Sequence, residues 1–261
     1  EIFHNETTRF ADVILPAACF AEKDGVFTNS DRRVQLVRKA VEPPGQARED
    51  WRILIDLSRR LGYDMPRYAR PAEIYAEMAA LTPKFHGISH QRIEANPAGV
   101  QWPCPAEDHP GTATLHEGGP LIGRATFHPA EYRPSDELPD RDYPLLLSTG
   151  RTLYHYNSAT QTRRDPGPVM KQGENFIEIH RRDAKRLGIT DGQSVQVSSR
   201  RGSVVAKAWV SPRVRYGCVW MPMHFGESRA NLLTNDAGDQ VTGTGEYKVC
   251  AVHVRPVESS N

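Results

Sequence analysis

The densest set of chemically useful side chains lies between residues 148 and 164. Ser148-Thr149-Gly150-Arg151-Thr152-Leu153-Tyr154-His155-Tyr156-Asn157-Ser158 gathers hydroxyls, a guanidinium, an imidazole and a carboxamide behind an apolar run. A guanidinium presents paired N–H donors that match phosphate or carboxylate oxygens. Gly150 carries no Cβ, so backbone can come close to a ligand there. This is the donor set of a phosphate- or cofactor-binding loop, or else of a polar loop capping a barrel. The continuation Thr160-Gln161-Thr162-Arg163-Arg164 either extends such a site or forms a solvated basic face.

Other chemistries are weakly represented. Walker, GxSxG, HExxH and EF-hand patterns do not occur in the sequence. Thr242-Gly243-Thr244-Gly245 has two glycines without a dinucleotide fingerprint and reads as a loop. His86 and His90 have the spacing of one helix face, but Pro83 and Gly87 argue against that helix and no third ligand is nearby. Cys19, Cys104, Cys218 and Cys250 form no CxxC pair. A local zinc or iron–sulfur motif is therefore not expected, a disulfide framework is not expected, and a reducing compartment fits.

The elements that must position the donors fall into three regions. Residues 1–95 look α/β. Ala11-Asp12-Val13-Ile14-Leu15-Pro16 reads as a buried strand ended by proline, and Val34-Gln35-Leu36-Val37 as a second strand. Trp51, Ile53, Leu54, Leu57 and Leu61 recur at helical spacing, with Gly62 at the stop position. Residues 71–81 form another helix with proline at its start. Residues 96–142 are a Pro/Gly-rich connector, in which Trp102, Phe127 and Tyr132 suggest some packing. Residues 143–261 carry many short strands and one or two small helices, the pattern of a β-barrel or sandwich.

Composition limits the partners. The chain has 261 residues, 38% of them hydrophobic and 25% charged, with a net charge of +1. Mean hydropathy is −0.57 and no apolar window reaches the ~18 residues of a membrane span. So balanced a charge is not that of a nucleic-acid binder. The chain opens Glu1-Ile2-Phe3-His4 without Met. Processing, or membership of a longer polypeptide, is the expectation.

Six ordered motifs resemble the C-terminal part of molybdopterin oxidoreductases of the dimethyl sulfoxide reductase class. They are Asn5-Glu6-Thr7 with Ala11-Asp12-Val13-Ile14-Leu15-Pro16, then Glu22-Lys23-Asp24-Gly25-Val26-Phe27-Thr28-Asn29 with Arg32-Arg33-Val34-Gln35, and Asp50-Trp51 with Leu61-Gly62-Tyr63. Then come Thr149-Gly150-Arg151 with His155-Tyr156 and Thr162-Arg163, the run Asp183-Ala184-Lys185-Arg186-Leu187-Gly188-Ile189-Thr190-Asp191-Gly192, and Ala230-Asn231-Leu232-Leu233-Thr234 with Glu246-Tyr247-Lys248-Val249-Cys250-Ala251-Val252. Within the class the chain looks most like formate dehydrogenase catalytic (alpha) subunits.

The resemblance implies an α/β portion, the tail of a larger domain, followed by a mainly-β double-psi β-barrel. It implies a cofactor of two molybdopterin guanine dinucleotides holding Mo or W, with iron–sulfur clusters elsewhere in the full enzyme. Thr149, Gly150, Arg151, Thr152, His155, Tyr156, Asn157 and Ser158 would wrap the pterin and its phosphates. Arg151 would meet phosphate or pterin oxygens, His155 would hydrogen-bond near the pterin, and Met223, Asn231 and Lys248 would complete the set. The family's metal-ligating Cys or selenocysteine, its iron–sulfur cysteines and its substrate arginine match nothing here, and each of the four cysteines reads as buried and structural. The implied partners are the remainder of the catalytic subunit, electron-transfer subunits and formate, in the cytoplasm, and the chain alone would be inactive. The equivalent portion of a nitrate reductase and a non-catalytic barrel binding module are the alternatives.

Overall fold

The computed structural model describes residues 1–120 and 122–257. The chain divides into two compact units, Glu1–His128 and Pro129–Asn261.

In the first unit, β1 (Gly25–Thr28), β2 (Arg33–Val37) and β3 (Val100–Gln101) form an antiparallel sheet in that order. Helix α1 (Asp50–Arg60) begins with an acidic residue and ends with Arg59 and Arg60, matching the helix dipole, and Gly62 follows at φ +82°. Helix α2 (Pro71–Leu81) turns Tyr75 and Ala79 inward. Helix α3 (His90–Ala95) is capped by the Ser89 hydroxyl, which accepts from Arg92 N–H. The core is small: Val34, Tyr75, Ala79, Ile88, Ile93, Val100 and Cys104, with Trp102 against Phe85 at its edge.

Several expectations change here. Val13, Ile14 and Leu15 are exposed and make no strand, because Ala17 with Arg48 is the one bridge formed beside them among the described residues. On α1 the buried residue is Ile55, whereas Leu54, Leu57 and Leu61 stay exposed. Residues 100–104 of the expected connector add a strand and a core cysteine to this unit. Trp102 packs as expected, but Phe127 and Tyr132 are 96% and 89% exposed. His86 follows a short 3-10 turn and His90 opens α3, so the two share no helix. Cys104 and Cys250 are buried, while Cys19 and Cys218 are only half-buried.

The second unit is a closed six-stranded barrel. Its strands are β4 (Leu145–Gly150), β5 (Phe176–His180), β6 (Ser194–Ser198), β7 (Ser203–Ser211), β8 (Cys218–Pro222) and β9 (Cys250–Pro256). Around the barrel they run β4-β8-β5-β7-β6-β9. The pairs β4·β8 and β5·β7 are parallel and the other four are antiparallel, the double-psi arrangement. Period-two alternation points Leu145, Leu147, Ile177, Ile179, Val195, Val197, Val219, Met221, Val252 and Val254 into one core. Burying each such aliphatic side chain contributes about 1.5–3 kcal/mol over leaving it in water.

Two short helices lie in the connections, α4 (Pro166–Lys171) and α5 (Arg181–Leu187). Gly188 takes the left-handed conformation that ends α5. Asp183, fully buried, accepts from Gly217 N–H at 2.7 Å and from Arg186 at 2.9 Å, so α5 holds the turn that launches β8. No described helix is long and apolar enough to cross a membrane.

Candidate cofactor-binding end of the barrel

Strand direction decides where the candidate residues fall. From the pairing, β4, β6 and β8 finish, and β5, β7 and β9 start, at the same end of the barrel. The donor-rich loop after β4, the segment after β8 and the approach to β9 therefore all leave from that end. Asn231 lies in the long β8–β9 connection. That connection is tied to the same end where Arg201, in the β6–β7 turn, donates to Leu233 O, and where the Ser228 hydroxyl donates to Val205 O. Residues far apart in sequence thus converge.

The base of the loop is pinned by hydrogen bonds. Thr149 is buried, and its hydroxyl donates to Tyr247 O at 2.6 Å. Its own carbonyl accepts from Lys248 Nζ at 2.9 Å, so Lys248 leans over the end of β4 while its residue remains exposed. Gly150 O accepts from Met223 N–H at 3.0 Å. A Cβ on Gly150 would stand 2.7 Å from Trp220 Nε1, so only glycine lets the chain pass the indole. Beyond it, Asn157 and Ala159 both have positive φ, bending the loop back on itself. Asparagine tolerates that region better than most residues.

Each side chain of the loop has a definite place. Arg151 Nε donates to Asn157 Oδ1 at 3.1 Å, and its terminal nitrogens make no bond among the described residues. The Thr152 hydroxyl oxygen is buried and has no partner among the described residues. Ser158 pairs with the Thr160 hydroxyl at 3.0 Å. Tyr156 is exposed, with its backbone N–H on Thr162 Oγ1. Asn231 is exposed and Met223 half-buried. Arg151 and Thr152 also rim a cleft of about 510 Å³ on the barrel flank, walled by Trp209, Trp220 and Arg213.

His155 has a different place from the one expected of it. It is 4% exposed, its Nε2 donates to Gln172 O at 2.6 Å, and its Nδ1 meets Thr162 Oγ1 at 3.1 Å. Both ring nitrogens are thus used inside the chain, and the ring supports the loop from beneath. Arg163 is likewise no solvated basic face. It grips Glu227 through two bonds of 2.7 and 2.8 Å and lies over the Phe225 ring. Thr242 and Thr244 lie in a turn organised by Asp239.

His224 belongs to none of the sequence motifs. It is 2% exposed; its Nε2 accepts from Thr152 N–H at 2.8 Å, and its Nδ1 donates to Asn157 O. Burial, with His155 and Arg151 nearby, pushes its pKa below the usual histidine value. The available signal was an imidazole between Met223 and Phe225 at the close of an apolar strand, since a buried ring there must find partners.

The set of candidate residues at this end is uniform. It offers a guanidinium, an ammonium, a carboxamide and a hydroxyl, each a donor, while the nearby Glu227 carboxylate is spent on Arg163. Such a set fits a ligand rich in phosphate and carbonyl oxygens. Among the described residues, no three His, Cys, Asp or Glu side chains gather as a metal site.

Comparison with known proteins defines the class first. Residues 145–251 match the molydopterin dinucleotide binding domain, so the barrel is a molybdopterin-binding one, and residues 1–60 match the molybdopterin oxidoreductase family. The chain belongs to the molybdopterin oxidoreductases, with formate dehydrogenase alpha subunits among its close homologues. It is 48% identical over 260 residues to the F420-dependent formate dehydrogenase subunit alpha of Methanocaldococcus jannaschii, covering 98% of this chain and 38% of that protein. It is 39% identical over 277 residues to a nitrate reductase of Symbiobacterium thermophilum, covering 97% and 37%. The solved acetylene hydratase of Pelobacter acetylenicus superposes with a TM-score of 0.67 at 17% identity, over 95% of this chain and 38% of that one, a likeness of fold. The chain thus spans under two-fifths of the length of these relatives.

Proposed function

We propose that this chain is the cofactor-holding portion of a formate dehydrogenase catalytic subunit, acting with two molybdopterin guanine dinucleotides that carry Mo or W. The observation behind this reading is the convergence of Arg151, Thr152, Asn231 and Lys248 at one end of the barrel. The bound cofactor would supply the redox chemistry, the two-electron oxidation of formate to carbon dioxide with loss of a proton.

The protein's share is binding and orientation. Arg151, held through Nε, presents its terminal N–H groups to phosphate or pterin oxygens. Lys248 adds positive charge beside the β4 terminus, with two of its three N–H donors unused by its bond to Thr149. Asn231 and the unpartnered Thr152 hydroxyl offer neutral hydrogen bonds. Gly150, Tyr156, Asn157, Ser158 and Met223 shape the loop around the ligand, and His155 props it from below. The metal ligand, substrate arginine and iron–sulfur clusters are assigned to the remainder of the catalytic subunit, and onward electron transfer to further subunits. The proposed compartment is the cytoplasm, in keeping with four unpaired thiols.

The test uses the complete catalytic subunit. Arg151→Ala and Lys248→Ala should lower metal and pterin content while circular dichroism stays native. Normal content in both variants would reject these residues as cofactor contacts. Formate oxidation assayed beside nitrate reduction separates the proposed activity from that of the nitrate reductases, and a chain in a complex holding neither metal nor pterin would be a binding module.

A further inference from the structure

We propose that His224 is the positioning residue that sets the Arg151 guanidinium, by clamping both ends of the loop over residues 152–157 with one imidazole. The inference rests on the cofactor reading above and deepens it. The geometry forms a short chain of contacts. Nε2 accepts the Thr152 N–H at the loop's start, and Nδ1 donates to the Asn157 carbonyl at its end. Asn157, so held at φ +48°, turns its carboxamide oxygen onto Arg151 Nε. Arg151 is thereby fixed at one nitrogen and left with its outer donors free. His224 itself, 2% exposed beside His155 and Phe225, reaches the ligand only through these partners.

The partners dictate the ring's proton. A backbone N–H can only donate and a carbonyl can only accept, so the proton sits on Nδ1 and Nε2 carries a lone pair. Protonating Nε2 would set two donors against each other at Thr152. The charged groups around the ring give no relief. Arg151 and His155 on the loop side both oppose a positive charge. Arg163, over the neighbouring Phe225 ring, and Glu227 neutralise one another. Phe225 beneath is apolar. The clamp is therefore intact at and above the ordinary histidine value and released only as pH falls below it.

The experiment compares His224→Gln and His224→Phe in the complete subunit. Glutamine offers one acceptor and one donor without a titrating proton; phenylalanine fills the space with neither. Cofactor loss is followed as the appearance of oxidised, fluorescent pterin, together with metal by mass spectrometry, from pH 5 to 8 (about one and a half units either side of the ordinary histidine value). Wild type should shed cofactor faster as pH falls. His224→Phe should shed it roughly tenfold faster than wild type at neutral pH, about the worth of one hydrogen bond to a buried group, and the two should converge as pH falls and the wild-type clamp is released. His224→Gln should be near wild type at neutral pH and flat on the acid side. If phenylalanine retains cofactor like wild type, or if glutamine keeps the acid limb, His224 merely fills space and the proposal fails. Arg151→Ala run alongside separates the two levels. Normal retention in that variant would defeat the cofactor reading itself. Loss there with none in His224→Phe would defeat only the clamp. The ring ¹⁵N shifts give a readout independent of cofactor, and a proton found on Nε2 at neutral pH would also overturn the proposal.

Discussion

Adding one methyl group at Gly150 should destabilise the barrel, and the size of the effect follows from its surroundings. The new Cβ would lie 2.7 Å from Trp220 Nε1 and 2.8 Å from Cζ2, closer than any relaxed contact. Neither side yields easily. The Gly150 carbonyl is bonded to Met223 N–H, and Gly150 pairs with Pro222 in the β4·β8 ladder. The indole is packed against Phe176, with ring centroids 5.6 Å apart. Overpacking of this kind costs about 1–3 kcal/mol. Gly150 is not in the left-handed region, so restricting the unfolded chain returns about 0.4–1 kcal/mol. The clash wins, and a net loss of roughly 1–2 kcal/mol should lower Tm by about 2–8 °C for a protein of this size.

The assay is thermal unfolding followed by near-ultraviolet circular dichroism, to which Trp220 itself contributes. A second background sharpens the test. Valine at position 220 ends at its Cγ atoms and has nothing where Nε1, Cε2 and Cζ2 stand. Gly150→Ala should therefore be neutral or slightly stabilising in a Trp220→Val protein, while costing the full amount in wild type. That reversal is the signature of a local steric cause. An unchanged Tm in the single variant, or the same loss in both backgrounds, would refute the reasoning.

Two further outcomes are expected. Asp183→Ala should cost about 1–3 kcal/mol, because it leaves the Gly217 N–H without its acceptor, whereas Asp183→Asn, which retains an oxygen, should cost less; denaturant melts of the two variants, if equal, would remove Asp183 from this role. The Glu178 carboxyl is held below its ordinary value of 4.5, first by its paired hydrogen bonds to Arg213, against opposing desolvation, and then by Ser211. A depressed carboxylate stabilises the fold fully above that ordinary value and loses its contribution as pH falls through the lowered one. The acid limb of a Tm–pH profile should therefore flatten in Glu178→Gln, and an identical limb would show the pair to be idle.

The barrel was legible because its strands obey period two with little interference. Val195 and Val197 alternate with serines and glutamine in β6, and the turn at Arg200-Arg201-Gly202 closes it onto β7. Here local pattern and final packing agree. The first unit was harder to read. Val13, Ile14 and Leu15 have a strand's composition, and Leu54, Leu57 and Leu61 have a helix's apolar spacing, yet all remain exposed. Apolar patterning records that a face is meant to be covered and does not say by what. Only Ile55 of α1 is buried within this unit. A chain spanning 38% of its formate dehydrogenase relative can carry such faces without contradiction.

The candidate site divides along a similar line. Arg151 and Thr152 were visible as donor types in a glycine-marked loop, because donors are a property of residues, whereas Lys248 came only from the family resemblance. What holds them was invisible, because it is a property of partners. His155 and His224 are both histidines next to an aromatic residue, and composition cannot say which faces the ligand. The structure separates them by what their nitrogens touch. His155 joins the loop to Thr162 and Gln172, and His224 joins the loop's two ends across a gap of more than sixty residues in sequence. Both rings end up inside the protein, so the outward donors around them are free for a ligand because the inward hydrogen bonds are already made. If it holds the cofactor as proposed, a loop organised in this way would meet it with less freedom left to lose, so residues that touch no reacting atom would still set its affinity.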